Sequence, residues 1–301
     1  MHVKKGLNQK GSAMVMTVVV LTMIIGMSAL VIDVGSVMIE KHRLRNAVDA
    51  AVLAGGQELP MYPDVARSIA AEYAEANGAV AGRILVDIDE DSCGIRVTAE
   101  QTVDYKFASV FGLSTKDVVQ SSYAKLGVAG SVYNGIRPFA VEWGDFDYGE
   151  SVTLKEGGGD GETGNYGAVA LGLRGANSFM DNLKFGYNGK LSVGDLIDTE
   201  PGNMSGPTID GINYILGNDN STFENFSKTS LRIWIIPVVD SFDALGRDQI
   251  EVSGFAAFFV ENTQNVDGDA VVVGRFMEYV TNADIDVAVN NYGASGLKLM
   301  Q

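Results

Sequence analysis

From residue 11 to residue 32 the chain runs through GSAMVMTVVVLTMIIGMSALVI without a charged side chain. As a helix these 22 residues would span about 33 Å at ~1.5 Å per residue, which matches a hydrocarbon core of about 30 Å. A cleavable secretory signal is the rival reading, with KKGLNQK as its basic lead, but the apolar part of such a signal is only ~7–15 residues long. The run therefore predicts a retained, single-pass transmembrane helix. Lys4, Lys5 and Lys10 precede it and place the N-terminus in the cytoplasm. Lys41, Arg43 and Arg45 come after it, yet they lie farther from the apolar run, and a long following domain crosses largely regardless of charge. The expected layout is a cytoplasmic basic tail over residues 1–11, a transmembrane helix over 12–36 in the cell membrane and an extracytoplasmic bulk.

No turn signal separates the apolar run from the residues after it, and no proline occurs between it and Pro60. Val37, Leu44, Val48, Ala51, Val52 and Gly55 recur on one helical face, so residues 37–59 are expected to continue as an amphipathic stalk helix. Ala47, Ala51 and Gly55 stand four apart, a spacing of small residues that lets another helix approach closely, although alanine is also simply a good helix former. Asp33 is expected at the outer membrane interface, where its carboxylate is hydrated; an intramembrane functional carboxylate is the other reading.

The remainder reads as two bodies. YPDVARSIAAEYAEANGA predicts a short helix whose inner face holds Val65, Ile69, Tyr73 and alanines, stopped by Asn77 and Gly78. RILVDID and GIRVTAEQTVDYKF come next as strands, the second alternating apolar and polar residues from Ile95 to Phe107. A helical turn at FASVFGL and a strand at DVVQSSYAKLG complete a small α+β unit over 63–127. From 128 to 301 strand-length runs such as SVTLKE, GAVALGL, LRIWIIPVV, GFAAFFVE and AVVVGRFMEYV alternate with glycine-rich loops, and no long helix is evident. With 36 glycines against 6 prolines, this part is expected to be a β-rich domain, LRIWIIPVV lying centrally in its sheet. The fold class is thus α+β, a long N-terminal helix leading into a small mixed unit and a β-rich head.

The chemistry-bearing residues are sparse. The net charge of −16 divides into +4 over residues 1–45 and −20 over the rest, and so acidic a body repels nucleic acid. Cys93 is the single cysteine, so neither an internal disulfide nor a cysteine zinc site can form. His2 and His42 both flank the apolar run, which excludes a histidine-based triad or a multi-histidine metal site in the body. No phosphate-binding glycine loop occurs; GYNGKL at 186–191 has the wrong spacing. Glu142, Asp145, Asp147 and Glu150 form an acidic cluster that could serve glycoside chemistry or calcium, but in a chain with 38 acidic residues it reads first as a solvated face. GGGDGETGN is a loose calcium-loop likeness and reads better as a surface loop. Asn203, Asn220 and Asn225 begin short glycosylation-type triplets in a polar region. No catalytic residue, cofactor or metal ligand is assigned.

The stretch ALVIDVGSVMIEKHRLRNAVDAAVLAGG resembles the N-terminal signature of TadG-like Flp pilus-assembly proteins, an apolar span with an A-x-D-x-G-like exit and a LQNAADAAALAGA-like helix. Asp33, Gly35, Leu44, Asn46, Ala47, Asp49, Ala50, Ala51, Leu53, Ala54 and Gly55 match that pattern; Arg45, Val48 and Val52 depart mildly. Segments such as GNYGAVALG, IPVVDSF and VVGRFMEYV are similar to those of Gram-positive versions. The resemblance implies a non-enzymatic envelope protein of the tight-adherence system, whose partners are membrane lipid and other Tad/Flp pilus or envelope proteins. It adds Gly35 to the helix-packing set of Leu44, Ala47, Ala51 and Gly55, through which partner helices or a second copy would associate. Pseudopilin-type processing after Gly11 is disfavoured, because Met16 stands where such proteins carry glutamate. A self-polymerising pilin-like subunit, a tethered carbohydrate-binding or hydrolytic protein and a calcium-stabilised adhesin remain as alternatives.

Overall fold

The computed structural model describes residues 9–300 apart from 145–146, 157–163, 201–203, 243–248 and 287. Most of the basic tail, Asp145, most of the GGGDGETGN loop and Asn203 lie outside the described residues.

The apolar run and the alanine-rich stretch form one unbroken helix, α1 (Gln9–Gly56), of 48 residues and about 72 Å. A second helix, α2 (Pro63–Ala76), begins with proline at its first turn, where the missing N–H is no loss. Strands β1 (Ile84–Ile88), β2 (Gly94–Asp104) and β3 (Thr115–Tyr133) form an antiparallel meander, with a 3-10 turn (Ala108–Phe111) at the tip between β2 and β3. The C-terminal half of α1 and all of α2 cover one face of this sheet. The core between them holds Leu44, Val48 and Val52 from α1, Ala66, Ala70 and Ala74 from α2, and the alternating Ile95, Val97 and Ala99 of β2. Each of the three large α1 side chains is fully buried and contributes roughly 1.5–3 kcal/mol.

The alternation expected for β2 holds from Ile95 to Ala99, but the strand ends at Asp104 and Phe107 is exposed. Of the inner face expected for α2, the three alanines four apart are buried while Val65 and Tyr73 are exposed. The helices lie so close that only small side chains fit between them.

The second body contains β4 (Phe139–Glu142), β5 (Ser151–Glu156), β6 (Gly164–Ala170), α3 (Ala176–Phe185), β7 (Lys190–Ser192), β8 (Leu196–Thr199), α4 (Ser205–Asn218), β9 (Ile233–Val239), β10 (Gln249–Glu251), β11 (Gly254–Val266) and β12 (Asp269–Met277). Strands β6, β4, β9, β11, β12 and β5 are neighbours in that order, and β5 pairs back to β6, so the path closes into a six-stranded barrel. One parity of side chains fills its interior, among them Phe139, Trp234, Ile236, Phe258, Val272 and Phe276, with Phe179, Leu183, Ile212 and Ile215 packed in from α3 and α4. β9 is an interior strand with all seven residues buried. A Cβ on Gly274 would come within 2.3 Å of the Phe259 carbonyl oxygen and 2.6 Å of the Phe258 ring, so glycine here makes room for both.

Helix α4, 14 residues long, corrects the expectation that no long helix lies beyond residue 128. Its sequence, SGPTIDGINYILGN, carries three glycines and a proline, which read as loop signals; Thr208, Gly211, Ile212 and Ile215 nonetheless form a helical stripe that the barrel covers.

The chain then returns. Strands β13 (Tyr279–Val280), β14 (Ala283–Ile285) and β15 (Ala294–Met300) join the first sheet, β15 pairing antiparallel with β3 from Tyr123 to Val128. Residue 127, where the small α+β unit was expected to end, lies inside the 19-residue β3. The far end of β3 contributes Ala129 and Val132 to a second core on the barrel's outer wall, with Ile235, Phe255, Ala257 and Phe259. The two bodies therefore share a strand and a hydrophobic seam.

Candidate functional site

Helix α1 carries all the residues singled out for interaction, and its two halves meet different surroundings. From residue 11 to residue 32 the large apolar side chains are exposed throughout. The hydroxyls of Thr17, Thr22 and Ser28 donate to the carbonyls of Ala13, Val18 and Ile24 at 2.8–2.9 Å, so these polar groups are satisfied within the helix.

Beyond residue 33 one stripe is buried. Leu44, Ala47 and Ala51 are inaccessible, and Gly55 lies against the start of α2. A Cβ added at Gly55 would stand 2.7 Å from the Ala66 carbonyl oxygen and 2.8 Å from both the Ala70 Cβ and the Ile95 Cδ1. The small-residue ladder does admit a close helix, and that helix is this chain's own α2. Ala47 and Ala51 are 0 % exposed and belong to the first body's own core, so their side chains are taken up within this chain. Gly35 is half-buried, with nothing within 4 Å of where its Cβ would be.

Asp33 is the main surprise of α1. The expected hydrated carboxylate is 2 % exposed. Its Oδ1 accepts the backbone N–H of Lys106 at 2.7 Å, its Oδ2 accepts that of Ala108 at 2.6 Å, and the Phe107 N–H donates at 3.1 Å. Three consecutive amides at the head of the 3-10 turn thus converge on one carboxylate, a strong arrangement because the acceptor is charged. The turn closes at Gly112, whose φ of +83° suits a residue without Cβ. Sequence reading missed this contact because its two halves are more than 70 residues apart. The signal that could have exposed it is FASVFGL, a hairpin tip with four large apolar residues and no core partner in sequence.

A second junction joins the end of α1 to the barrel. The Lys228 ammonium donates to the Gln57 carbonyl, lies 3.7 Å from the Glu58 carboxylate and sits 4.8 Å above the Tyr279 ring, while the Tyr279 hydroxyl donates to the Lys228 carbonyl at 3.0 Å. Burial lowers the lysine pKa from its ordinary value, and Glu58 opposes that shift. An open cleft of about 430 Å³ beside it is lined by Gln57, Lys228, Tyr279, Thr281 and Asn282.

The acidic cluster does not assemble among the described residues: Glu142 is half-buried, and Asp147 and Glu150 are exposed. No group of three potential metal ligands occurs among the described residues. Arg137 is buried and caps the end of α3 by donating to the Leu183 carbonyl at 2.8 Å; burial lowers its pKa to about 10.

Residues 11–58 match a family model described as Tad, "Putative Flp pilus-assembly TadE/G-like". The matched segment is the apolar run, Asp33 and the ladder of α1, so it takes in α1's share of the first body's core and ends before α2. No curated protein and no solved structure matches the chain.

Proposed function

We propose that the protein is a non-enzymatic, membrane-anchored component of a Flp-type (Tad) pilus assembly, held by the N-terminal half of α1 with its two bodies as an extracytoplasmic docking head. The observation that carries this reading is the coincidence of the family match with the structural division of α1. Residues 11–32 form an apolar helix long enough to cross a bilayer and buried against nothing, whereas a helix of that composition inside a water-soluble fold would be covered. The lysines that precede the run support a cytoplasmic N-terminus. Lipid is the first partner of this half-helix, and other pilus or envelope proteins, or a second copy, meet it or the head. The acidic head leaves nucleic acid out.

Deleting the gene in its parent cell should abolish Flp-type filaments in sheared surface material viewed by electron microscopy. Tagged protein should stay with the membrane fraction after carbonate washing, its head open to external protease. Normal filaments in the deletion strain would overturn the assembly role, and release by carbonate would overturn the anchor. A pilin-like subunit is the second reading, favoured by the single unbroken helix that projects bare from the head. Immunogold label distributed along the filaments would select it over an assembly component.

A further inference from the structure

We infer that the tip between β2 and β3 is a second membrane contact, a wedge inserted into the outer leaflet beside the anchor helix. The inference rests on the membrane reading of α1 and adds to it a site that the family-matched segment does not contain.

The tip sequence is KFASVFGLST, residues 106–115. Phe107, Val110, Phe111 and Leu113 are 41, 84, 86 and 60 % exposed, an apolar cluster on a hairpin that elsewhere alternates buried and wet residues. Soluble surfaces rarely group such side chains without a partner to cover them. The position of the group identifies that partner. An apolar recess of about 220 Å³ between the tip and α1 is lined by Gly26, Ala29 and Leu30 on the helix and by Phe107, Val110 and Phe111 on the tip. Gly26 lies seven residues before Asp33, so the tip reaches roughly 10 Å along the helix into the uncharged run. Apolar segments that lie in a membrane interface bury to about 5–10 Å, and the tip matches that depth. Where α1 is surrounded by lipid, side chains at the same level are surrounded by lipid too.

Irregular backbone enters hydrocarbon only when its polar groups are satisfied internally. The tip meets that demand for most of its N–H donors. Asp33 takes the amides of Lys106, Phe107 and Ala108; Tyr105 donates to the Ser114 carbonyl, Val110 to Phe107, Gly112 to Ser109 and Leu113 to Ala108. The carboxylate thus removes three donors that would otherwise face the bilayer, and it fixes the tip against the helix. Lys106 and Lys116, exposed at the base of the tip, stand where anionic headgroups would meet them.

The test uses the full chain with Cys93→Ser, reconstituted in phosphatidylethanolamine and phosphatidylglycerol vesicles. Single cysteines at Phe111, Val110, Val20 and Val119 carry an environment-sensitive fluorophore. Val20 reports the anchor, and Val119, exposed on β3 away from the tip, reports water. The expected result is blue-shifted emission, with loss of quenching by aqueous iodide, at Phe111, Val110 and Val20 but not at Val119. Lipid-like signals at Val20 with water-like signals at both tip positions overturn the wedge and leave the anchor standing. A water-like signal at Val20 overturns the anchor, and the wedge with it. Phe111 and Val110 are open to solvent, so either substitution leaves the core intact, and agreement between them guards against a local artefact.

Discussion

The two halves of α1 are continuous in backbone and both rich in small and aliphatic residues, yet one packs along a defined stripe and the other packs against almost nothing. In residues 11–32 valine, leucine, isoleucine and methionine point in every direction, so no rotation of the helix could hide them against a single neighbour. In residues 37–56 the large side chains Leu44, Val48 and Val52 share a stripe with small ones, and the polar His42, Arg43 and Asn46 are exposed outside it. The difference lies in arrangement more than in apolar content. A helix apolar all round calls for an apolar solvent, and a helix apolar on one stripe calls for a sheet.

The sharpest way to break the contrast is to enlarge the ladder. Ala47→Leu, Ala51→Leu and Gly55→Leu together should unfold the first body, since overpacking costs about 1–3 kcal/mol per site and the Ala66 carbonyl cannot move aside. Loss of the cooperative thermal transition in detergent would show it. The same triple change is therefore a poor probe of partner binding, because a lost complex would reflect a lost fold. Asp33→Asn keeps the shape of the side chain but removes the charge and one acceptor. Hydrogen exchange at Lys106, Phe107 and Ala108 should then accelerate while exchange in the barrel strands stays unchanged.

Smaller effects are expected at the seams. Lys228→Met should cost about 1 kcal/mol in denaturant unfolding through loss of the Gln57 hydrogen bond. Asp219, at the end of α4, is pushed up by burial but more strongly held down by donors from Ser221, Ser230 and Leu231, so its pKa lies below the ordinary carboxylate value. A depressed carboxylate stabilises the fold fully above its unfolded pKa of about 4, and that contribution is lost as pH falls through the folded value. Asp219→Asn should therefore cost about 1 kcal/mol at pH 7, discounted for partial exposure, and the gap to the parent should close in strong acid. Leu21→Ala, on the bare half of α1, should leave the head's unfolding within about 0.5 kcal/mol of the parent.

Local patterns were readable where a residue's environment is set by its near neighbours in sequence. The β2 alternation, the apolar β9 and the continuity of α1 all follow from spacing alone. Reading failed where the partner was distant or the signal was weak by composition. In α2 the larger side chains Val65 and Tyr73 were expected inward, but the ladder on α1 leaves room only for alanine. In α4 glycines hid a helix that the barrel stabilises. On α1 the spacing of Ala47, Ala51 and Gly55 marks a face that a neighbour approaches closely, but a small-residue face does not name the helix that covers it; within this chain α2 lies against Gly55.

The sequence by itself determined that an uncharged, membrane-length helix leads into an amphipathic one and that an acidic, strand-rich body comes after them, because length, charge and period are properties of adjacent residues. Only the tertiary structure decided that α2 fills the ladder, that β15 returns to β3 and that the Asp33 carboxylate gathers the amides of a hairpin tip. Those contacts join segments up to 177 residues apart in register. Chain closure over such distances is settled by which surfaces fit, and no local pattern encodes that choice.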